Sequence, residues 1–322
     1  MLVVVAVAVV VAILWWIRQP LPLPASPFAF DVKPGASLKS VARELVGAGV
    51  LPAELPLVAL ARLQGVDRTI KAGNYEVAIG ITLPELLGKL TQGDTAQTGM
   101  TIVEGTTFAE LAGALAANPG IVKTVLALPG AELARRTGID GPNPEGWFFP
   151  DTYFFAAGST DLALLRRAHR LMRSRLDAAW MKRAPDSPLR NSYEALILAS
   201  IVEKETGRAA DRPLVASVFV NRLRAGMRLQ SDPTVIYGLG ARFDGNLRRR
   251  DLESDMAYNT YTRDGLPPTP IALPGQDSLE AVVNPPPTPY FYFVAREDGS
   301  SEFSASLADH NRAVAKFQLG RR

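Results

Sequence analysis

The chain of 322 residues has no cysteine. A disulfide, a zinc ribbon, an iron–sulfur cluster and a thiol nucleophile are therefore excluded. It has only two histidines, His169 and His310. A centre with several histidine ligands is excluded, and so is a histidine triad unless one of these two serves it. Charge of one sign is also scarce: 35 Lys and Arg stand against 32 Asp and Glu, a formal net charge of +3. That excess is too small to argue for a nucleic-acid partner. What is present is an ordinary globular balance, with 47% apolar and 21% charged residues. Such a chain can bury a core, which rules out disorder as its main state. The chemistry must rest on Glu, Asp, Lys, Ser, Thr or Tyr. At about 150 residues per domain, the length suggests two domains.

Residues 1–17 are apolar without a break. As a helix at ~1.5 Å per residue they span ~26 Å, slightly short of a ~30 Å hydrocarbon core. Trp15, Trp16 and Arg18 stand where an interfacial belt would lie. The reading adopted is a transmembrane anchor, residues 1–17. A cleaved signal peptide and a buried core element are the rivals, and no small-x-small cleavage site is visible. The single Arg18 leans against export under the positive-inside rule, but one residue decides little. The proline-rich stretch that follows, residues 18–29, reads as an extended linker.

The rest of the pattern predicts an α+β chain. Phe30 to Val32 reads as a strand, and Pro34-Gly35 turns it. Leu38 to Val46 and Leu55 to Leu63 read as helices, Gly73 to Val77 as a strand, and Leu83 to Leu90 as a short helix. This makes a small α+β module over residues 30–95, smaller than most independent domains. Residues 96–322 form the larger domain. Thr107-x-x-Glu110 is a capping-box pattern that opens a helix. The aromatic run Trp147 to Phe154 suits either a groove lining or a core. Asp161 to Trp180 is an amphipathic helix with His169 on its apolar stripe, which reads as a core histidine. Its arginine face is either solvated or attractive to an anionic polymer or headgroup.

Ser192 to Val202 is an apolar helix that ends in Glu203-Lys204-Glu205. A carboxylate at the mouth of a buried helix is partly desolvated, so its pKa is expected to rise, as a general acid requires. Glu203 and Glu205 are two residues apart and fall on different helix faces, so they do not form a dyad. From composition alone, Glu203 also reads as a solvated helix end. Asp211 is positioned to cap the next helix, and Pro213 suits its first turn. Gln230, Ser231, Asp232 and Thr234 follow as short hydrogen-bonding groups around Pro233. With Tyr258, Asn259 and Tyr261 they suit a carbohydrate groove, although each also reads as an ordinary turn residue.

Several motifs, taken together, are specific. They are PEG at 144–146, PDTY at 150–153, ASIVEKET at 199–206, VFVNRL at 218–223, GMRLQSDPTVIYG at 226–238, YNTY at 258–261, GLPPTPI at 265–271 and TPYFYFV at 288–294. This set closely resembles the MltG-type, YceG-like endolytic murein lytic transglycosylases over nearly the whole chain. Residues 30–93 also resemble that family's LysM-like subdomain. Val103 and Met256-Ala257 depart from the family pattern, which often has Pro and Ser-Pro there.

The resemblance implies an anchored enzyme that cleaves the MurNAc–GlcNAc bond within peptidoglycan strands and leaves 1,6-anhydroMurNAc ends. It needs no cofactor and no metal. Glu203 is placed as the single acid and then base. Asn221, Gln230, Ser231, Asp232, Tyr258, Asn259, Tyr261, Glu145 and Tyr153 are candidates for contact with substrate or for supporting that glutamate. The inner membrane, peptidoglycan strands and penicillin-binding synthases are the implied partners, and the catalytic domain is placed on the periplasmic, cell-wall side. A muramidase-type hydrolase would share the groove but needs a second carboxylate, for which Asp232 is the residue to watch. A non-catalytic peptidoglycan-binding scaffold would share the small module. A Schiff-base lyase using Lys204 lacks a glycine-rich phosphate loop.

Overall fold

Capping and apolar spacing determine where each element starts. The computed structural model describes residues 2–33, 35–93, 97–156 and 158–319. It is a mixed α+β chain, as the pattern predicts. Two compact units are present: residues 1–99 with 154–159, and residues 100–153 with 160–322. The sequence-based boundary between residues 95 and 96 lies outside the described residues, as does Pro34 of the expected turn.

The small unit carries α1 (Leu2–Trp16), β1 (Phe28–Val32), α2 (Leu38–Gly47), α3 (Leu55–Leu63), β2 (Gly73–Val77) and α4 (Leu83–Gln92). The strand–helix–helix–strand order is the one the sequence predicts. Ser37 Oγ accepts from the Ser40 N–H at 3.2 Å and starts α2. Thr82 and Glu85 form a capping box that starts α4. Strands β1 and β2 pair antiparallel, with Phe30 opposite Tyr75. Val41, Leu45, Leu57, Tyr75, Leu86 and Leu90 form the core.

The proline-rich stretch is not a free spacer. Leu21 and Leu23 pack against this core, and the Leu21 N–H donates to the Ile81 carbonyl at 2.8 Å. Apolar side chains between the prolines explain the docking, because burying them outweighs leaving the segment solvated. In α1, Val4, Val5, Val11, Ile13 and Leu14 are exposed. Among the described residues, no helix is long and apolar enough to cross a membrane.

The larger unit takes the end of β3 (Gln97–Thr101), α5 (Phe108–Ala117), β4 (Ile121–Val122), α6 (Gly130–Thr137), the start of β5 (Thr152–Ala156), and the second residue of β6 (Ser159–Thr160). It continues through α7 (Asp161–Met181), α8 (Ser192–Glu205), α9 (Arg212–Arg224), α10 (Asp232–Leu239), α11 (Arg249–Glu253) and α12 (Gln276–Val283). It ends with β7 (Tyr292–Ala295), β8 (Ser301–Ser304) and α13 (Leu307–Val314). Strand β3 pairs with β5, β4 with β6, and β7 with β8 antiparallel. The predicted box at Thr107 and Glu110 starts α5.

The centre of this unit is α8. Ala195 to Val202 are all buried, and α12, α9, α7 and α10 pack around them. Asp211 stands at the N-cap of α9 as expected, but its side chain makes no cap bond; its carboxylate instead accepts from the Ser301 N–H at 2.8 Å and ties α9 to β8. Trp147, Phe148, Phe149 and Tyr153 of the aromatic run are buried and belong to the core, whereas Phe154 at its end is exposed. His169 is buried on α7 with its ring edge-on to Trp147, as its place on the apolar stripe predicts.

Candidate active site

The last turn of α8 carries two glutamates into two different surroundings. Residues two apart on a helix differ by about 200° around its axis, so they cannot face one side. Glu203 enters a charged cluster. Its Oε2 accepts from the Gly275 N–H at 2.9 Å and from the Ser278 hydroxyl at 2.7 Å. Its Oε1 meets the Arg212 guanidinium at 3.4 Å, and the two side chains are only 6% and 8% exposed. Arg212 also reaches Asp277 at 3.2 Å. Glu104 lies beside this cluster, where burial and the Glu203 charge raise its pKa. The Lys204 ammonium donates to the Gly105 carbonyl at 3.1 Å. Glu203 thus joins the end of α8 to the start of α12 and to α9, while Lys204 ties Gly105 to α8.

Glu205 faces a groove of about 320 Å³. Gln230, Asp232, Arg222, Tyr261, Tyr292 and His310 line it, with Phe219, Leu229, Phe293 and Leu307 as apolar wall. The Ser231 hydroxyl donates to Glu205 Oε1 at 2.5 Å. Burial pushes the Glu205 carboxyl up to about 7; the Asp232 charge adds to this, while the Ser231 hydrogen bond and Arg222 oppose it. A carboxyl that titrates there can give a proton at neutral pH and take one back.

The groove is built by two stretches that converge on the end of α8. Gln230 precedes α10 with φ of +51°, a left-handed backbone uncommon for glutamine. Its N–H donates to the Thr260 carbonyl at 3.1 Å, and its side chain accepts from Arg222 at 3.2 Å. Asp232 is the first residue of α10, where its charge suits the helix dipole. Its carboxylate accepts from the Tyr261 hydroxyl at 2.6 Å. Arg222 is buried and donates to the carbonyls of Leu229 and Phe291, so one cation fastens α9 to the groove wall.

The remaining predicted residues stand outside this groove. Asn221 donates to the carbonyls of Thr288 and Tyr290, both at 2.9 Å, and fixes the approach to β7. Asn259 is buried and donates to the carbonyls of Asp251, Leu252 and Ser254, closing the loop after α11. The Tyr258 hydroxyl pairs with Thr269 at 2.9 Å. Tyr153 is buried and donates to the Phe149 carbonyl at 2.7 Å. Glu145 is buried too, accepting from the Phe108 N–H at 2.9 Å and the Tyr237 hydroxyl at 3.0 Å. Burial pushes its carboxyl up to about 7. These five side chains hold loops together. The predicted set gives the groove Gln230, Asp232 and Tyr261, with Ser231 behind Glu205. Sequence reasoning missed Glu205, Arg222, Tyr292 and His310. The signal for Glu205 is the abrupt charged end of α8, but nothing in the sequence marks which of its two carboxylates faces the groove.

The fold and site define an α+β protein whose larger unit sets a half-buried glutamate, its carboxyl pushed up to about 7 by burial, into a groove lined by aromatic and polar side chains. The chain belongs to the YceG-like family, whose pattern it matches over residues 30–316. It is 31% identical over 304 residues to the endolytic murein transglycosylase of Bacillus subtilis, covering 89% of this chain and 84% of that one. It is 28% identical over 293 residues to the endolytic murein transglycosylase of Streptococcus pneumoniae, covering 89% of this chain and 50% of that protein. A crystal structure of a YceG-like protein from Listeria monocytogenes superposes with a TM-score of 0.55 at 27% identity, covering 90% of this chain and all of that one.

Proposed function

We propose that the chain is an endolytic murein lytic transglycosylase with Glu205 as its single acid and base. One observation carries the assignment: Glu205 is the carboxyl that opens onto the groove, whereas Glu203 is taken up by Arg212, Gly275 and Ser278. The relatives that carry this activity in their names support the substrate and the reaction. The protonated Glu205 gives its proton to the glycosidic oxygen between MurNAc and GlcNAc, and the C1–O bond breaks. The oxocarbenium ion that forms at MurNAc C1 is captured by the C6 hydroxyl of the same sugar. The Glu205 carboxylate takes the hydroxyl proton, which restores the acid and leaves a 1,6-anhydro end. Ser231 donates to the carboxylate form and steadies the base half of the cycle. Asp232, held by Tyr261, places negative charge beside the developing cation.

A hydrolase reading rests on Asp232 as a second carboxylate in the same groove. Digestion of peptidoglycan followed by mass spectrometry of the products separates the two. Anhydromuramic ends support the transglycosylase, and reducing ends assign the chain to the hydrolases.

The small unit is the LysM-like module of this reading, and α1 is its membrane anchor. The exposed apolar side chains of α1 support the anchor, because lipid is the medium that would cover them. Trp15 and Trp16 suit the interface. The larger unit would then act on the cell-wall side of the inner membrane, near the penicillin-binding synthases.

A further inference from the structure

Resting on the reading of the groove as a sugar site, we propose that α13 recognises the acetamido group of a bound N-acetylhexosamine. His310 donates to its carbonyl, and Leu307 covers its methyl.

Both residues line the groove that holds Glu205. They are three apart on α13 and so share a helix face. Leu307 is an exposed apolar side chain, 55% accessible, at the start of a helix rich in polar residues. The His310 ring is fixed: it stacks on Tyr292 with centroids 5.2 Å apart and planes at 23°. The Arg222 guanidinium lies 5.1 Å from the Tyr292 ring centroid and holds that platform.

The two imidazole nitrogens differ. Nδ1 is buried without a hydrogen-bond partner among the described residues. A proton there would be a buried, unmet donor, which is unfavourable. The neutral ring therefore carries its proton on Nε2. Burial and the Arg222 charge lower the pKa of His310, which favours that neutral form. One fixed N–H donor beside an apolar patch matches an acetamide, which offers one carbonyl and one methyl. A bare hydroxyl would make no use of Leu307.

The test uses the full chain carrying Glu205→Gln, so that strands bind without being cut. Affinity is measured for peptidoglycan strands, for the same strands de-N-acetylated, and for de-N-acetylated strands acetylated again. The expected result is about tenfold weaker binding of the de-N-acetylated strands, restored by re-acetylation. Adding His310→Phe keeps the stacked ring, loses the N–H and removes most of that preference. His310→Gln supplies an amide donor and returns part of it. Leu307→Ser, at an exposed position, also narrows the preference. Equal preference in His310→Phe and its parent overturns the inference, as does a parent that binds all the strands alike or none of them. Cleavage by the native chain is measured in parallel. Cleavage without acetyl preference defeats this inference alone. Acetyl preference without cleavage defeats the transglycosylase reading and leaves this one standing.

Discussion

At the scale of single residues, two glutamates two positions apart are placed in unlike surroundings. Glu203 has Arg212, Gly275 and Ser278 on its oxygens, so its work is to join α8 to α9 and to the start of α12. Glu203→Gln should leave Arg212 without its buried charge partner and lower stability by about 2–4 kcal/mol. Thermal unfolding would register that loss while the folded fraction still cuts peptidoglycan. Glu205 should behave differently under a pH scan. Its carboxyl is pushed up to about 7, so the acid form dominates below that pH and kcat/KM should fall as pH rises through it. The Ser231 hydroxyl favours the carboxylate. Ser231→Ala therefore raises the Glu205 pKa further and moves the alkaline limb to higher pH, by about one unit. A limb that stays put or moves to lower pH would contradict this.

At the scale of elements, α8 explains both what the sequence revealed and what it hid. The capping box at Thr107, the strand–helix–helix–strand order, and the buried histidine of α7 are legible because caps and periodic stripes are local signals. Ala195 to Val202 are buried on every side, so α8 has no polar stripe to mark its phase. Without that marker, the sequence cannot say which carboxylate at its end faces the groove. Asn221 and Asn259 are ambiguous for a related reason: an amide that binds a sugar and one that binds two or three backbone carbonyls read alike until the partners are in place. The loops around α8 also make a stability prediction. Glu145 is pushed up to about 7 by burial, above its ordinary value of 4.5. Between those pH values the folded state holds a proton that the unfolded state has lost, so stability falls as pH rises through the window. The loss through Glu145 is on the order of 2–3 kcal/mol. Glu145→Gln should flatten the decline in unfolding free energy between pH 5 and pH 8 by about that amount. Close approach makes a second prediction. A Cβ on Gly146, at φ +81°, would stand 2.5 Å from Pro270, so Gly146→Ala should destabilise by about 1–3 kcal/mol in denaturant melts.

At the scale of the whole molecule, the docked proline-rich stretch sets where the apolar N-terminal helix can be removed. Ile17, Leu21 and Leu23 pack on the small unit's core. A chain starting at Ile17 should melt like the full chain, whereas one starting at Phe28 should lose about 1–3 kcal/mol of that unit's stability. Equal melting of the two would contradict the packing. The central claim is that one carboxyl, Glu205, does the acid–base work on the polymer. The measurement that tests it most directly compares Glu205→Gln with Glu203→Gln, each corrected for folded fraction, by the rate at which anhydromuramic ends appear in peptidoglycan. The account predicts that Glu205→Gln loses at least about a hundredfold and that Glu203→Gln keeps most of the native rate. The reverse order, with Glu203→Gln inactive and Glu205→Gln active, would contradict it.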